Sequence, residues 1–301
     1  MWYSLPSMPI TIGNHFKIPD TWRILLTGAS SIHGWPVYKS LLKQVKPGQL
    51  FAVRPPKMRV PAGANVQSLC ITDRDELNRI RKDFRPTHLI HGAGVCDLDV
   101  CEDNPTWAES LNTDGCRAVA ERFGNECHIL YLGTDLVFSG EAAPPGGYAE
   151  HHPPDPISVA GKTFASAETE IEACPRHCII RLGLPLGDSV TGTKGAIDWI
   201  GHRFRRGLPV TLFHDEWRSC ITCEEIGIII PQMLARQATG LFHLGGEKPV
   251  SLHQIGCLVL EQGGHPPHLL KALSRHEEIN GPPRIGNVSL NSSKIIRLLN
   301  A

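Results

Sequence analysis

Short apolar runs alternate with amphipathic stretches over the first 183 residues, and this alternation restricts the chain more than any other property. Residues 23–27, 50–53, 88–91, 128–132 and 178–182 read as strands buried on both faces. Helical patterns lie between them: from about Gly34, with Pro36 in the first turn, then over 76–84, 107–123 and 159–173. Strands separated by helices pair in parallel through right-handed crossovers, so the expected class is α/β, a doubly wound parallel sheet. Beyond Gly183 the pattern loosens, with helical stretches at 197–206, 224–235 and 252–261. The expected organisation is a Pro-rich leader over 1–22, a core over 23–183, and a smaller lobe over most of 184–301, with returns to the core.

A chain of 301 residues can bury a substantial core. Its 30 basic and 30 acidic side chains cancel, which removes the usual attraction to nucleic-acid backbones or anionic membrane surfaces. No apolar run approaches the roughly 18 residues of a membrane span, and the first twenty residues lack an export signal's basic start and apolar run. The expectation is a soluble, cytoplasmic protein. Ten cysteines are too sparse for a disulfide scaffold; Cys70, Cys127 and Cys178 sit in apolar runs as reduced, small hydrophobes.

Strand 23–27 runs into Thr27-Gly28-Ala29-Ser30-Ser31-Ile32-His33-Gly34 and then a helix. Such a turn offers free backbone N–H groups at a helix N-terminus to a dinucleotide pyrophosphate. Glycine is needed where a Cβ would block the phosphate or the packing of helix on strand. Gly28 and Gly34 take the outer positions of a T-G-x-x-G-x-x-G turn, while Ser31 takes the middle one; Ser30 and Ile32 complete the cradle. Arg54 ends the second strand where a carboxylate would accept the ribose hydroxyls of NAD. A basic residue there favours the 2′-phosphate of NADP, and a solvated arginine is the alternative.

Later segments together resemble the extended short-chain dehydrogenases, above all the dTDP-4-dehydrorhamnose reductase family. Cys70-Ile71-Thr72-Asp73 resembles its D-I-T-D, and residues 86–94 resemble its P-D-V-V-I-N-A-A-A strand. Leu111-Asn112 resembles V-N, and residues 133–140 are similar to S-T-D-Y-V-F-D-G. Residues 240–244 and 289–294 resemble G-x-Y-H-L and S-L-D-S-S-K. The resemblance implies a Rossmann-type fold with a small C-terminal substrate-binding lobe. It also implies an NADP cofactor held by the glycine turn, Arg54, Asp73 and the strand end Gly92-Ala93-Gly94.

In that family a Tyr and a Lys four residues apart on one helix carry the chemistry, helped by a Ser or Thr ending the preceding strand. Tyr passes a proton to the substrate oxygen as hydride arrives, and Lys⁺ lowers the phenol pKa and holds the ribose. Superposing Tyr148, Glu150, Pro156, Gly161 and Glu168 on the family pattern puts Ala160 at the Tyr and Phe164 at the Lys. Ala has no proton to give, and Phe carries no charge. Lys162, four residues after Ser158, lies about 200° around the helix from Ala160 and faces away. Thr134 and Asn112 then form a residual polar pocket, or else act structurally.

The resemblance also assigns Arg218, in R-S-C-I-T-C-E-E-I-G, to a nucleotide-sugar diphosphate, with a surface ion pair as the alternative. Cys220 and Cys223 have C-x-x-C spacing but fall on apolar family positions with no second ligand pair nearby, so buried thiols are expected and no metal. His151-His152 reads as solvated. Three functional readings stand. The first is a degenerate reductase-like protein that keeps cofactor or nucleotide-sugar binding and serves as a regulatory or scaffolding subunit, with a protein partner or as a homodimer. The second is a working NADP-dependent reductase or epimerase with a non-standard acid, and the third a binding protein that has lost the cofactor.

Overall fold

The structure is a computed structural model that describes residues 16–190, 192, 195–277 and 281–301. The first fifteen residues of the expected leader lie outside the described residues. Seven strands form the central sheet: β1 (Ile24–Thr27), β2 (Leu50–Arg54), β3 (Val66–Ser68), β4 (His88–His91), β5 (His128–Thr134), β6 (His177–Leu182) and, later in the chain, β10 (Gly240–Leu244). Their order is β10-β6-β5-β4-β1-β2-β3, parallel throughout. This is a Rossmann-type sheet, and the sequence-based class stands. The order reverses between β1 and β4, which opens a crevice beyond their carboxyl ends.

Helices cover both faces, which is why β1, β4 and β5 are buried along their whole length. On one face lie α2 (Arg74–Asp83), α5 (Gly115–Phe123) and α6 (Val159–Glu172), packed on Leu25, Leu89 and Ile129. The short α3 (Leu98–Asp103) and α4 (Pro105–Glu109) abut α6. On the other face α1 (Gly34–Leu42), α8 (Cys223–Ala235) and α10 (Ser293–Asn300) pack on Leu26, Ile90 and Leu130. The stretch expected as one helix over 107–123 is broken by a π-helical turn, Ser110–Asp114. Its cause is Asn112, which leaves the helix surface to bond the loop after β4.

The chain after Leu182 serves two structures. Strands β7 (Leu184–Leu186), β9 (Trp217–Thr222) and β11 (Pro249–Ser251) form one small sheet, and β8 (Val210–Phe213) pairs with β12 (Leu270–Leu273). With α7 (Ala196–Arg205) and α9 (Leu252–Gln262) they enclose a separate apolar cluster, the small lobe. Helices α8 and α10 and strand β10 return to the core. Cys127 and Cys178 are buried as expected; Cys70 is exposed, because its run ends in the turn before α2 rather than in a strand.

Candidate functional site

The switch-point crevice is built first from backbone. Gly28 has φ +68°, and a methyl added there would lie 2.2 Å from the Gly92 carbonyl oxygen and 2.7 Å from the Ala93 nitrogen. One added at Gly34 would lie 2.1 Å from the Gly28 oxygen. Both glycines are therefore demanded by contact, and they bring the N-terminus of α1 onto the ends of β1 and β4. Ser31, at the middle glycine position, accepts the Gly34 N–H on its hydroxyl at 2.9 Å. The N–H groups of Ser30, Ile32 and His33 have no partner among the described residues, and the last two lie at the N-terminus of α1. Ser30 is buried, and the Ile32 side chain reaches across to Gly195 of the lobe.

His33 went unnoticed in the sequence. Its Nε2 bonds the Gly92 carbonyl at 3.0 Å, and burial lowers its pKa, so it tethers α1 to β4 as a neutral ring. Beside it, His91 shares a 2.6 Å hydrogen bond with Thr27, and burial pulls its pKa down to about 4. Arg54 ends β2, with Nη1 on the Pro55 and Pro56 carbonyl oxygens, 3.1 Å each, and a buried Nε without a partner. Asp73 caps α2, accepting the N–H groups of Asp75 and Glu76.

At the other end of the crevice stands α6, started by Ser158, whose hydroxyl accepts the Gly161 N–H. A methyl on Gly161 would lie 2.1 Å from the Leu136 oxygen, so this glycine lets α6 press on the turn after β5. Farther along, Glu168 forms a buried two-bond ion pair with Arg181 of β6, at 2.9 and 2.7 Å, which fixes the helix azimuth. Ala160 is fully buried. Phe164 is buried too, its ring stacked on Tyr131 with centroids 6.4 Å apart. Its Cζ would lie 3.1 Å from a methyl added at Gly94. Lys162 lines an outer groove between α4 and α6 with Pro105 and Glu109, facing away from Ala160 as its helical phase requires.

The residual polar groups are occupied. Asn112 accepts the Val95 N–H and donates to the Val95 carbonyl oxygen and to Thr163, all within 2.8 to 2.9 Å. Thr134 donates to Asp135 and accepts the Leu136 N–H, both at 3.3 Å. Arg218, expected at a sugar diphosphate, is buried in a two-bond ion pair with Asp135, Nε to Oδ2 at 2.7 Å and Nη2 to Oδ1. That pair ties the lobe to the core. Glu216, two residues earlier in the chain, is buried with Oε2 unpartnered, and burial pushes its carboxyl up to about 7. Sequence reading missed Asp135 and Glu216; the first stands beside Thr134 in the resembling segment, while the second carries no local signal.

Among the described residues no three His, Cys, Asp or Glu side chains gather as a metal site. Cys220 is buried, and Cys223 is half-buried with its sulfur 3.5 Å from the Ile32 carbonyl oxygen. His151 is exposed and His152 partly so. No helix among the described residues is long and apolar enough to cross a membrane.

The sequence profile described as the RmlD substrate binding domain matches residues 22–300. The chain belongs to this family. Among curated relatives it is similar to the methionine adenosyltransferase 2 subunit beta of Danio rerio, 24% identical over 280 residues, 91% of this chain and 84% of that one. Among solved structures it is similar to a hypothetical dTDP-4-dehydrorhamnose reductase from Sulfolobus tokodaii, with TM-score 0.77, 23% identity and 92% and 94% of the two chains covered. It also resembles the Bacillus anthracis dTDP-4-dehydrorhamnose reductase solved in complex with NADP, with TM-score 0.74, 19% identity and 92% of each chain covered. These likenesses show the RmlD-type fold.

The chemistry of the turn fits a dinucleotide phosphate: Gly28 and Gly34 let the N-terminus of α1 press onto β1 and β4, and the Ile32 and His33 N–H groups there have no partner among the described residues. In this family member Ile32, His33 and Arg54 would hold the phosphates.

Proposed function

We propose that this protein binds NADP at the glycine turn, does not carry out the reductase reaction, and acts as a regulatory or scaffolding subunit. The observation that carries this reading is α6. At the two positions where the reductase pattern has Tyr and Lys, Ala160 and Phe164 are packed into the core, and the neighbouring Ser158, Asn112 and Thr134 are spent on the protein's own hydrogen bonds. A bound NADP would supply hydride chemistry. This chain's residues offer it phosphate donors and no proton at the expected place. The similarity to a methionine adenosyltransferase beta subunit supports a protein partner, and the similarity to sugar-nucleotide enzymes keeps a nucleotide sugar as the candidate second ligand.

The test is titration of the purified protein with NADPH, followed by NADPH oxidation against a panel of nucleotide 4-keto sugars. Saturable binding without turnover is expected, and robust turnover overturns the reading. General acid catalysis is typically worth 10²- to 10⁴-fold, so Ala160→Tyr with Phe164→Lys should be the first variant to show oxidation if the rest of the crevice is intact.

One observation favours a working enzyme instead. Glu216 is a buried carboxyl whose Oε2 has no partner among the described residues, burial raises its pKa, and Arg218, two residues on, grips Asp135 next to Thr134. In that reading Glu216→Gln abolishes turnover that the natural protein shows.

A further inference from the structure

We infer that this chain self-associates, with Trp199 of one copy seated in the outer groove between α4 and α6 of the next. The contact uses surfaces outside the crevice and is independent of NADP binding. Four large apolar side chains are exposed among the described residues: Leu42, Val100, Trp107 and Trp199. Trp199 keeps 47% of its surface in solvent, so a contact that covers it recovers burial that the fold leaves unused. It begins an outward stripe on α7, followed at i+3, i+4 and i+7 by His202, Arg203 and Arg206, while Ile197, Ile200 and Phe204 fill the inward face. The Arg203 guanidinium lies over the indole, 5.7 Å from the ring centroid, and donates twice to the Pro209 carbonyl oxygen, at 2.9 and 3.1 Å. The result is a braced aromatic knob bordered by cations, and Trp and Arg are the side chains that most often anchor protein interfaces.

The groove complements this knob in shape and in charge. Its volume is about 390 Å³, room enough for an indole, and Pro105, Val159 and Lys162 line it with Glu109. The proline, the valine and the lysine stem supply apolar wall. Glu109 is exposed, as is Asp103 at the end of α3, and neither makes an ion pair among the described residues. Arg206 is likewise exposed and has no ion-pair partner among them. Cations without a partner thus surround the knob, and carboxylates without a partner border the groove. Both halves of the contact belong to this one chain, so the occupant is a second copy. The zero net charge of the chain removes the general repulsion between copies. A two-fold axis makes the contact twice and closes a dimer, whereas any other operator repeats it into a ring or an open chain.

The experiment is sedimentation equilibrium on the full chain over a series of concentrations. Reversible association is expected, weakened by raised salt because charges meet across the contact. Trp199→Ala should weaken it at least about thirtyfold, the scale of an anchoring tryptophan. Arg206→Glu and Glu109→Arg should each weaken it alone, since each sets like charges against one another. Mixed in equal amounts, those two variants should associate as the natural protein does, because every altered charge then meets its opposite. A natural chain that stays monomeric at every concentration overturns the inference. So does association that survives Trp199→Ala, or a loss in the two charge variants that mixing does not restore, with each variant shown folded by circular dichroism. If Trp199→Ala fails to fold, the two charge reversals, both at exposed positions, and their mixture decide the question.

Discussion

The glycine turn and helix α6 face each other across one crevice, and they have been kept by different physics. The turn is made of backbone: Gly28 and Gly34 are fixed because any side chain would collide with Gly92 or Gly28 itself. A position of that kind serves folding and ligand binding at once, so losing the ligand would not free it to change. In α6, Ala160 and Phe164 pack as ordinary core residues at the positions where the resemblance places Tyr and Lys. The same division runs through the polar groups. Those near α6 are bound to each other, while the donors of the turn stay open.

The strongest test of that division is Arg218. As a ligand residue its loss would weaken sugar-nucleotide binding and leave the fold alone. As the partner of buried Asp135 its loss strands a carboxylate between core and lobe. Removing one member of a buried pair costs about 3–5 kcal/mol, so Arg218→Ala should lower the unfolding free energy by that amount in urea denaturation. A variant with unchanged stability would return Arg218 to the ligand side of the comparison.

Glu216 sharpens the same point through pH. Its folded pKa of about 7 stands above the ordinary 4.5 because burial penalises the charge. Below pH 4.5 both folded and unfolded chains hold the proton, and the group carries no penalty. As pH rises the unfolded chain ionises first, so stability is lost progressively until about pH 7 and is flat above it. Glu216→Gln removes this loss, and its stability relative to the natural protein should rise by up to about 3 kcal/mol between pH 4.5 and 8. His88 and His91, each pulled down to about 4 by burial, destabilise both proteins as pH falls below 6.5 and cancel in the difference. A flat difference across that range would mean that Glu216 has a partner in solution.

The parts of this molecule that could be read from the sequence are those where one residue answers to its near neighbours. The alternation of buried strands and helices follows from local periodicity, and the turn is visible because Gly28 and Gly34 lie within one loop. The outward phase of Lys162 needs only the helical repeat. What was hidden depends on distant pairs. Arg218 was assigned to a ligand by resemblance, while its ion pair with Asp135, 83 residues earlier, left no local signal. Gly94 passed as one of three small residues at a strand end until Phe164 was found upon it. Asn112 was visible as a helix amide, but the π-turn it causes depends on Val95 across the loop. Asp73 likewise was assigned by resemblance, and the capping of α2 by its Oδ1 adds a structural role that the resemblance did not show.

The smallest expected effect belongs to Arg54 and decides which cofactor the turn prefers. The guanidinium is held by the Pro55 and Pro56 carbonyl oxygens, so little side-chain freedom remains to be lost on binding. Its Nε is buried and unpartnered, and a 2′-phosphate oxygen would satisfy it. A hydrogen bond to a charged group contributes about 1.5–3 kcal/mol. The natural protein should accordingly bind NADPH at least tenfold tighter than NADH, and Arg54→Ala should erase the ratio by weakening NADPH alone. Raised salt should narrow the ratio in the natural protein and leave the variant unchanged, because the contact is charged. Arg54→Lys separates charge from shape: a point charge restores part of the preference, but the fork that meets a phosphate with two parallel donors is lost. If NADPH and NADH bind equally to the natural protein, Arg54 belongs with the structural residues of α6, and the contrast between the two ends of the crevice narrows to the backbone of the turn.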